Sequence, residues 1–144
     1  NVLFSPDYNT LTDTPENRGN IKCYVTMAES SFEELIRQII YNAKRHGFVD
    51  KTRNDYSIII KLSYDNACNN YEIVFSNNGT PMAKGVNTER FGIRGEYAGD
   101  TGNTGIGGYR IKTIVENYKG SYKIINNPLE KFPVSIIIKL PKTD

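Results

Sequence analysis

The chain has 144 residues, 38% of them apolar and 24% charged, with a net charge of +2. That is enough for one globular domain with a real core, and the charge balance argues against a nucleic-acid or membrane-surface protein. No apolar run approaches the roughly 18 residues of a membrane span, no signal-peptide pattern opens the chain, and Cys23 and Cys68 are lone thiols that suit a reducing compartment.

The chain opens on Asn1 rather than methionine, so a piece of a longer protein is expected. Residues 1–19 are rich in Asn, Asp, Thr and Pro without a period. They read as an irregular arm or linker, leaving 20–144 as the domain. Residues 21–27 (IKCYVTM) predict a short strand. Ser31 predicts a helix start, with Glu34 completing a capping box. Leu35, Ile36, Ile39, Ile40 and Ala43 form the apolar stripe of that helix, and Gly47 ends it. Beside the stripe Gln38, Asn42, Arg45 and His46 make a polar column. His46 is the single histidine, which argues against a histidine-based triad or a His-rich metal site.

Residues 56–64 (YSIIIKLSY) are rich in β-branched side chains and predict a strand. Residues 65–70 are turn-like, and 71–76 predict the next strand, closed by Asn77-Asn78-Gly79. A long irregular loop follows. Residues 91–109 hold seven of the twelve glycines and open directly onto a helix. In that helix Ile111, Ile114, Val115 and Tyr118 fall at i, i+3, i+4 and i+7, and Gly120 marks its end. Residues 121–125 and 134–140 are the last strands, joined through Asn126, Asn127 and Pro128. The hexamer SIIIKL occurs at 57–62 and again at 135–140, which two half-buried central strands of one sheet explain without an internal repeat. The predicted class is α+β, a two-layer sandwich with helices on one face of a mixed, mostly antiparallel sheet.

The glycine cluster carries the chemistry. The first N–H groups of a helix lack partners, and the dipole places about +0.5 of a charge there. A glycine-rich approach lets backbone come close to an anion, so a phosphorylated ligand is expected.

Three segments together resemble the ATP-binding domain of the gyrase, heat-shock chaperone, histidine kinase and MutL superfamily, and within it the catalytic domain of sensor histidine kinases. Asn42-Ala43-Lys44-Arg45-His46 is similar to the second half of the N box. Asn77-Asn78-Gly79-Thr80-Pro81-Met82 stands in the place of the first glycine box, and Glu89-Arg90-Phe91-Gly92-Ile93-Arg94-Gly95 in that of the F box. The stretch from Gly102 to Glu116 is similar to the second glycine box, and PVSIIIKLP to the closing strand. The resemblance spans roughly residues 21 to 141 and implies a Bergerat-type fold binding ATP and Mg²⁺.

By that resemblance Asn42 gives its amide oxygen to Mg²⁺, a hard ion that takes oxygen ligands shared with phosphate and water. Arg45 takes the position that reaches phosphate, and His46 the aromatic position beside the nucleotide. Asn77 stands where the family has an Asp that accepts from the adenine amino group. Gly79 and Met82 line the same subsite, and Pro81 replaces its second glycine. Gly102, Thr104, Gly105, Ile106, Gly107 and Gly108 wrap the phosphates, and Arg94, with Arg90, reaches them from a lid of residues 83–104. Glu96 and Asp100 read as solvated loop charges.

Gln38 stands four residues before Asn42, where hydrolytic members carry a Glu that activates water. A neutral amide cannot serve as that base, so the reading tilts from ATPase toward phosphoryl transfer or binding alone. No side chain is assigned as catalytic. The implied function is the catalytic domain of a sensor histidine kinase in two-component signalling, with the acceptor histidine on another domain or partner and a response regulator downstream. It implies a cytoplasmic location, as in the cytoplasmic part of a membrane-bound sensor, with no nucleic acid and no direct membrane contact. The alternative is a degenerate nucleotide-binding or scaffold domain of the same fold.

Overall fold

The computed structural model describes residues 2–6, 25–65, 67–95 and 106–143. Five strands form one sheet. They are β1 (Val2–Pro6), β2 (Ile58–Asp65), β3 (Asn70–Asn77), β4 (Ser121–Asn126) and β5 (Val134–Pro141), in the spatial order β1-β2-β3-β5-β4. β1 runs parallel to β2, and every other pairing is antiparallel. The helices are α1 (Glu29–Asn42), which runs on into a π turn (Ala43–Gly47), the short α2 (Thr88–Phe91), and α3 (Ile106–Asn117). This is the predicted two-layer α+β architecture with a mixed, mostly antiparallel sheet.

The period-2 pattern decides which face is covered. In β3, Tyr71, Ile73, Phe75 and Asn77 are buried, and in β5 Val134, Ile136, Ile138 and Leu140 are. The alternate residues, including Glu72, Val74, Ile137 and Lys139, lie on the more open face. Leu35 and Ile39 of α1 and Ile111 and Val115 of α3 pack on the covered face to complete the core. Each fully buried Leu, Ile or Val side chain is worth about 1.5–3 kcal/mol relative to exposure. Both SIIIKL segments flank β3: Ile60 and Ile136 each pair with Phe75. The repeat is thus one sheet solution used twice.

Several expectations are corrected. Val2–Pro6 is not part of an irregular arm but an edge strand, in register from Val2 opposite Ile58 to Pro6 opposite Leu62. Of the strand expected over 21–27, residues 25–27 carry no regular structure and the rest lies outside the described residues. The first helix starts at Glu29, not after Ser31, and Ala28 at its N-cap offers no side-chain bond. A tertiary contact replaces the capping box. Ala28 N donates to the Tyr118 hydroxyl at 3.3 Å, which also pairs with Ser31 Oγ at 3.1 Å. Glu34 instead turns outward to Arg37, Gln38 and Arg110.

Two helix ends also differ from expectation. At the end of α1, Phe48 N reaches back to Ala43 O at 3.0 Å, five residues earlier, so Gly47 lies inside a π turn. At the end of α3 the left-handed residue is Lys119, with φ 58°. Gly120 serves close packing instead, since a Cβ there would meet Lys139 O at 2.4 Å. Part of the expected irregular loop is ordered as α2. Its N-cap Asn87 accepts from Arg90 N at 2.9 Å. Thr88 docks it on edge strand β4, where Ile124 N donates to Thr88 Oγ1 at 3.0 Å and the Tyr122 hydroxyl to Thr88 O at 2.7 Å. That covers a sheet edge otherwise open to pairing.

Ile111, wholly buried at the centre of the core, sets the first test. Ile111→Ala should lower the unfolding free energy by about 2–5 kcal/mol in a denaturant titration. Leu129→Ala, at a residue 96% exposed, should change it by no more than about 0.5 kcal/mol.

Candidate functional site

The polar column of α1, the turn after β3 and the first turn of α3 meet at one end of the sheet. The contact between the first two is backbone on backbone. A Cβ on Gly79 would lie 2.6 Å from the Gly47 carbonyl carbon and oxygen, and Thr80 N donates to Gly47 O at 2.8 Å. Only glycine allows this approach. The π turn presents Gly47 at this point, and such turns often occur at functional sites.

Asn77 ends β3 and Asn78 follows it; both are buried, at 7% and 8% exposure, but they do different work. Asn78 uses its whole carboxamide to staple the preceding loop. Its Oδ1 accepts from Ser57 N at 2.7 Å, and its Nδ2 donates to Asp55 O at 2.9 Å. Asn77 Oδ1 accepts from Gly79 N at 3.0 Å, closing an Asx turn. A Cβ on Gly47 would meet that same oxygen at 3.1 Å.

The third segment joins through Asn42. A Cβ on Gly107 would lie 2.7 Å from Asn42 Oδ1 and 3.2 Å from Nδ2. The carboxamide therefore lies against the first turn of α3, in space a side chain at 107 would fill. Gly108 is tighter still, since its Cβ would sit 1.9 Å from Phe91 O, and this seats the start of α3 on the end of α2. A carboxamide oxygen beside a helix N-terminus fits a hard cation shared with an anionic ligand. Among the described residues no group of three or more His, Cys, Asp or Glu could hold a metal by itself. A cation here would need the ligand's own oxygens.

The other sequence-predicted residues divide into three groups. Arg45 is exposed, donates to the Tyr41 hydroxyl at 2.7 Å and lies 5.9 Å over its ring, on the outer side of α1. Arg94 is exposed beside α3, with its guanidinium 5.8 Å over the Tyr109 ring. Met82 packs against the core, and its backbone forms a reciprocal pair with Asn126. Met82 N donates to Asn126 Oδ1 and Asn126 Nδ2 to Met82 O, both at 3.0 Å. Ile106, Gly107 and Gly108 form the first turn of α3. Gly102, Thr104 and Gly105, and the loop charges Glu96 and Asp100, lie outside the described residues.

Gln38 does not stand free over the site. Its Nε2 donates to Glu34 Oε1 at 2.7 Å, and Glu34 in turn pairs with Arg110 of α3 at 3.5 Å. Sequence reasoning missed that α1–α3 bridge, the Asn126 pair and the role of Gly47. Each depends on a partner far away in the chain. A faint signal existed only for Gly47, as a glycine ending a helix that also carries polar site candidates.

No family profile matches this sequence, and no curated protein matches it by sequence. Solved structures do. The mycobacterial sensor histidine kinase MprB shares 17% identity over 98% of this chain and 82% of its own, with a TM-score of 0.69. The catalytic domain of histidine kinase ThkA shares 18% over 99% and 80%, also at 0.69. The ATP-binding domain of PrrB from Mycobacterium tuberculosis shares 15% over 99% and 82%, at 0.62. This chain has the fold of a histidine kinase ATP-binding domain. Among the described residues no helix is long and apolar enough to cross a bilayer.

In this histidine kinase-like domain His46 is half-buried on the π turn. Burial holds its imidazole below the ordinary value of 6.5, and the nearby Arg45 charge adds to the effect. The folded state therefore holds it neutral to lower pH than the unfolded chain, which takes up a proton near pH 6.5. Its contribution is fully present above that pH and is lost as pH falls through the window below it. Melting temperature should drop between about pH 7.5 and 5.5, and His46→Phe should flatten that drop. An unchanged pH profile in the variant would remove His46 as its source.

Proposed function

We propose that this chain is the ATP- and Mg²⁺-binding catalytic domain of a sensor histidine kinase. It would position the γ-phosphoryl group for transfer to a histidine supplied by another domain or a partner. The observation that carries this reading is the Asn42 carboxamide lying against Gly107 at the first turn of α3. It places a hard oxygen and a set of helix N–H donors side by side, which is what a Mg²⁺–triphosphate requires. When bound, Mg²⁺ would offset charge on the phosphate oxygens. Asn42 would hold it, and the first turn of α3 with Gly107 and Gly108 would cradle phosphate. Gly102, Thr104 and Gly105 are proposed for the same cradle, and Arg45 and Arg94 would join it by turning inward from their contacts with Tyr41 and Tyr109.

The base would lie in the cleft near Asn77, Gly79 and Met82, with neutral His46 as an aromatic wall. No described side chain is given a proton-transfer role. Gln38 is a neutral amide tied to Glu34, which supports transfer over hydrolysis. Transfer of this kind rests mainly on positioning and electrostatics. The reading carries with it a response regulator downstream, a cytoplasmic site of action and no nucleic-acid or direct membrane contact. Asn77 and Pro81 favour a second reading, a domain of this fold whose nucleotide site has weakened and which works by binding partners.

The test is to mix the chain with γ-labelled Mg-ATP and a separately supplied helical-hairpin domain bearing the acceptor histidine. Acid-labile label on that domain is expected, and Asn42→Ala should abolish it. Label released only as free phosphate would mean a hydrolase. No label on the acceptor despite tight ATP binding would favour the partner-binding reading.

A further inference from the structure

Asn77 is more than nine-tenths buried, yet its carboxamide is only half used. Its orientation is fixed by chemistry. The Gly79 N–H is a donor and nothing else, so the Asn77 atom 3.0 Å from it must be the oxygen. Turning the amide over would set two donors face to face. The Cα of Gly47 closes over the same oxygen, with a would-be Cβ only 3.1 Å away. Oδ1 is thus enclosed between two glycines. What remains for a ligand is Nδ2, which makes no hydrogen bond among the described residues. Its neighbour Asn78 provides the contrast, since both ends of that carboxamide are taken by the chain.

We infer that Asn77 offers the bound base a hydrogen-bond donor rather than an acceptor, so that the site takes 6-oxopurine triphosphates at least as well as ATP. This rests on the proposed function, which puts a purine at Asn77. A carboxylate at this position can only accept, and it selects a base with an amino group at C6. An amide whose oxygen is already spent presents the opposite polarity. It matches the carbonyl oxygen at C6 of guanine or hypoxanthine and meets the adenine amino group donor to donor. Sites that hydrogen-bond a substrate reject an analogue of the wrong polarity strongly, because a buried polar group is left unpaired.

The experiment is a calorimetric titration of the whole chain with Mg-ATP, Mg-GTP and Mg-ITP, repeated on Asn77→Asp. ITP lacks the 2-amino group of GTP, so against ATP it differs only along the C6–N1 edge, with a carbonyl at C6 and a proton at N1. The wild type should bind ITP at least as tightly as ATP. In the variant the order should reverse, with ATP favoured by about tenfold or more. The wild-type comparison decides the matter even if the variant fails to fold. ATP bound more tightly than ITP by the wild type would overturn the inference and leave the nucleotide-binding reading standing. Binding of none of the three by folded protein would overturn both.

Discussion

One contact organises this domain, the meeting of Gly47 and Gly79 at backbone distance. Thr80 N on Gly47 O at 2.8 Å ties the end of α1 to the turn after β3; a Cβ on Gly79 would strike the Gly47 carbonyl at 2.6 Å, and one on Gly47 would press on Asn77 Oδ1 at 3.1 Å. The π turn of α1 presents Gly47 to that contact. On one side of it Asn77 is locked by Gly79 N; on the other, one helical turn or so back, Asn42 is carried to the start of α3. A substitution at either glycine would therefore disturb the helix end, the turn and the cleft together.

Stability and function draw on different parts of the molecule. The apolar core lies between the sheet and the stripes of α1 and α3, and its residues are aliphatic with one Phe. The candidate site lies at the rim of that core and is built from carboxamides, backbone N–H groups and glycines. Such groups bind anions and hard cations without adding fixed charge of their own, so the ligand can be held without a buried ion pair to stabilise. The elements around the rim are fastened separately. Asn126 pairs with the Met82 backbone, Thr88 seats α2 on β4, and Glu34 bridges to Arg110 across the two long helices.

What could be read in the sequence was what depends on local period. The stripe of α3, the alternation in β3 and β5 and the doubled SIIIKL all reported their own burial. The three polar and glycine-rich segments pointed to a shared site, and the structure brings Asn42, Asn77, Gly79 and Gly107 to one rim. What could not be read depends on partners distant in the chain. β1 is five residues laid parallel along the edge of β2, a partner more than fifty residues away in the chain. Ala28 is capped by the hydroxyl of Tyr118, just past the end of α3, and no spacing within α1 could announce it. Asn77 and Asn78 are identical in type and adjacent, so only geometry separates the half-used carboxamide from the stapling one. The glycine-rich stretch ahead of Ile106 is legible in composition but lies largely outside the described residues.

The central claim is that Asn42 and the start of α3 form one seat for a metal-bound triphosphate. Calorimetric titration of nucleoside triphosphate with and without Mg²⁺, on wild type and Asn42→Ala, tests it most directly. The account predicts binding that strengthens with Mg²⁺ in the wild type and loses that dependence in the variant, while both remain folded. Equal binding in the two proteins, or none in a folded wild type, would contradict it.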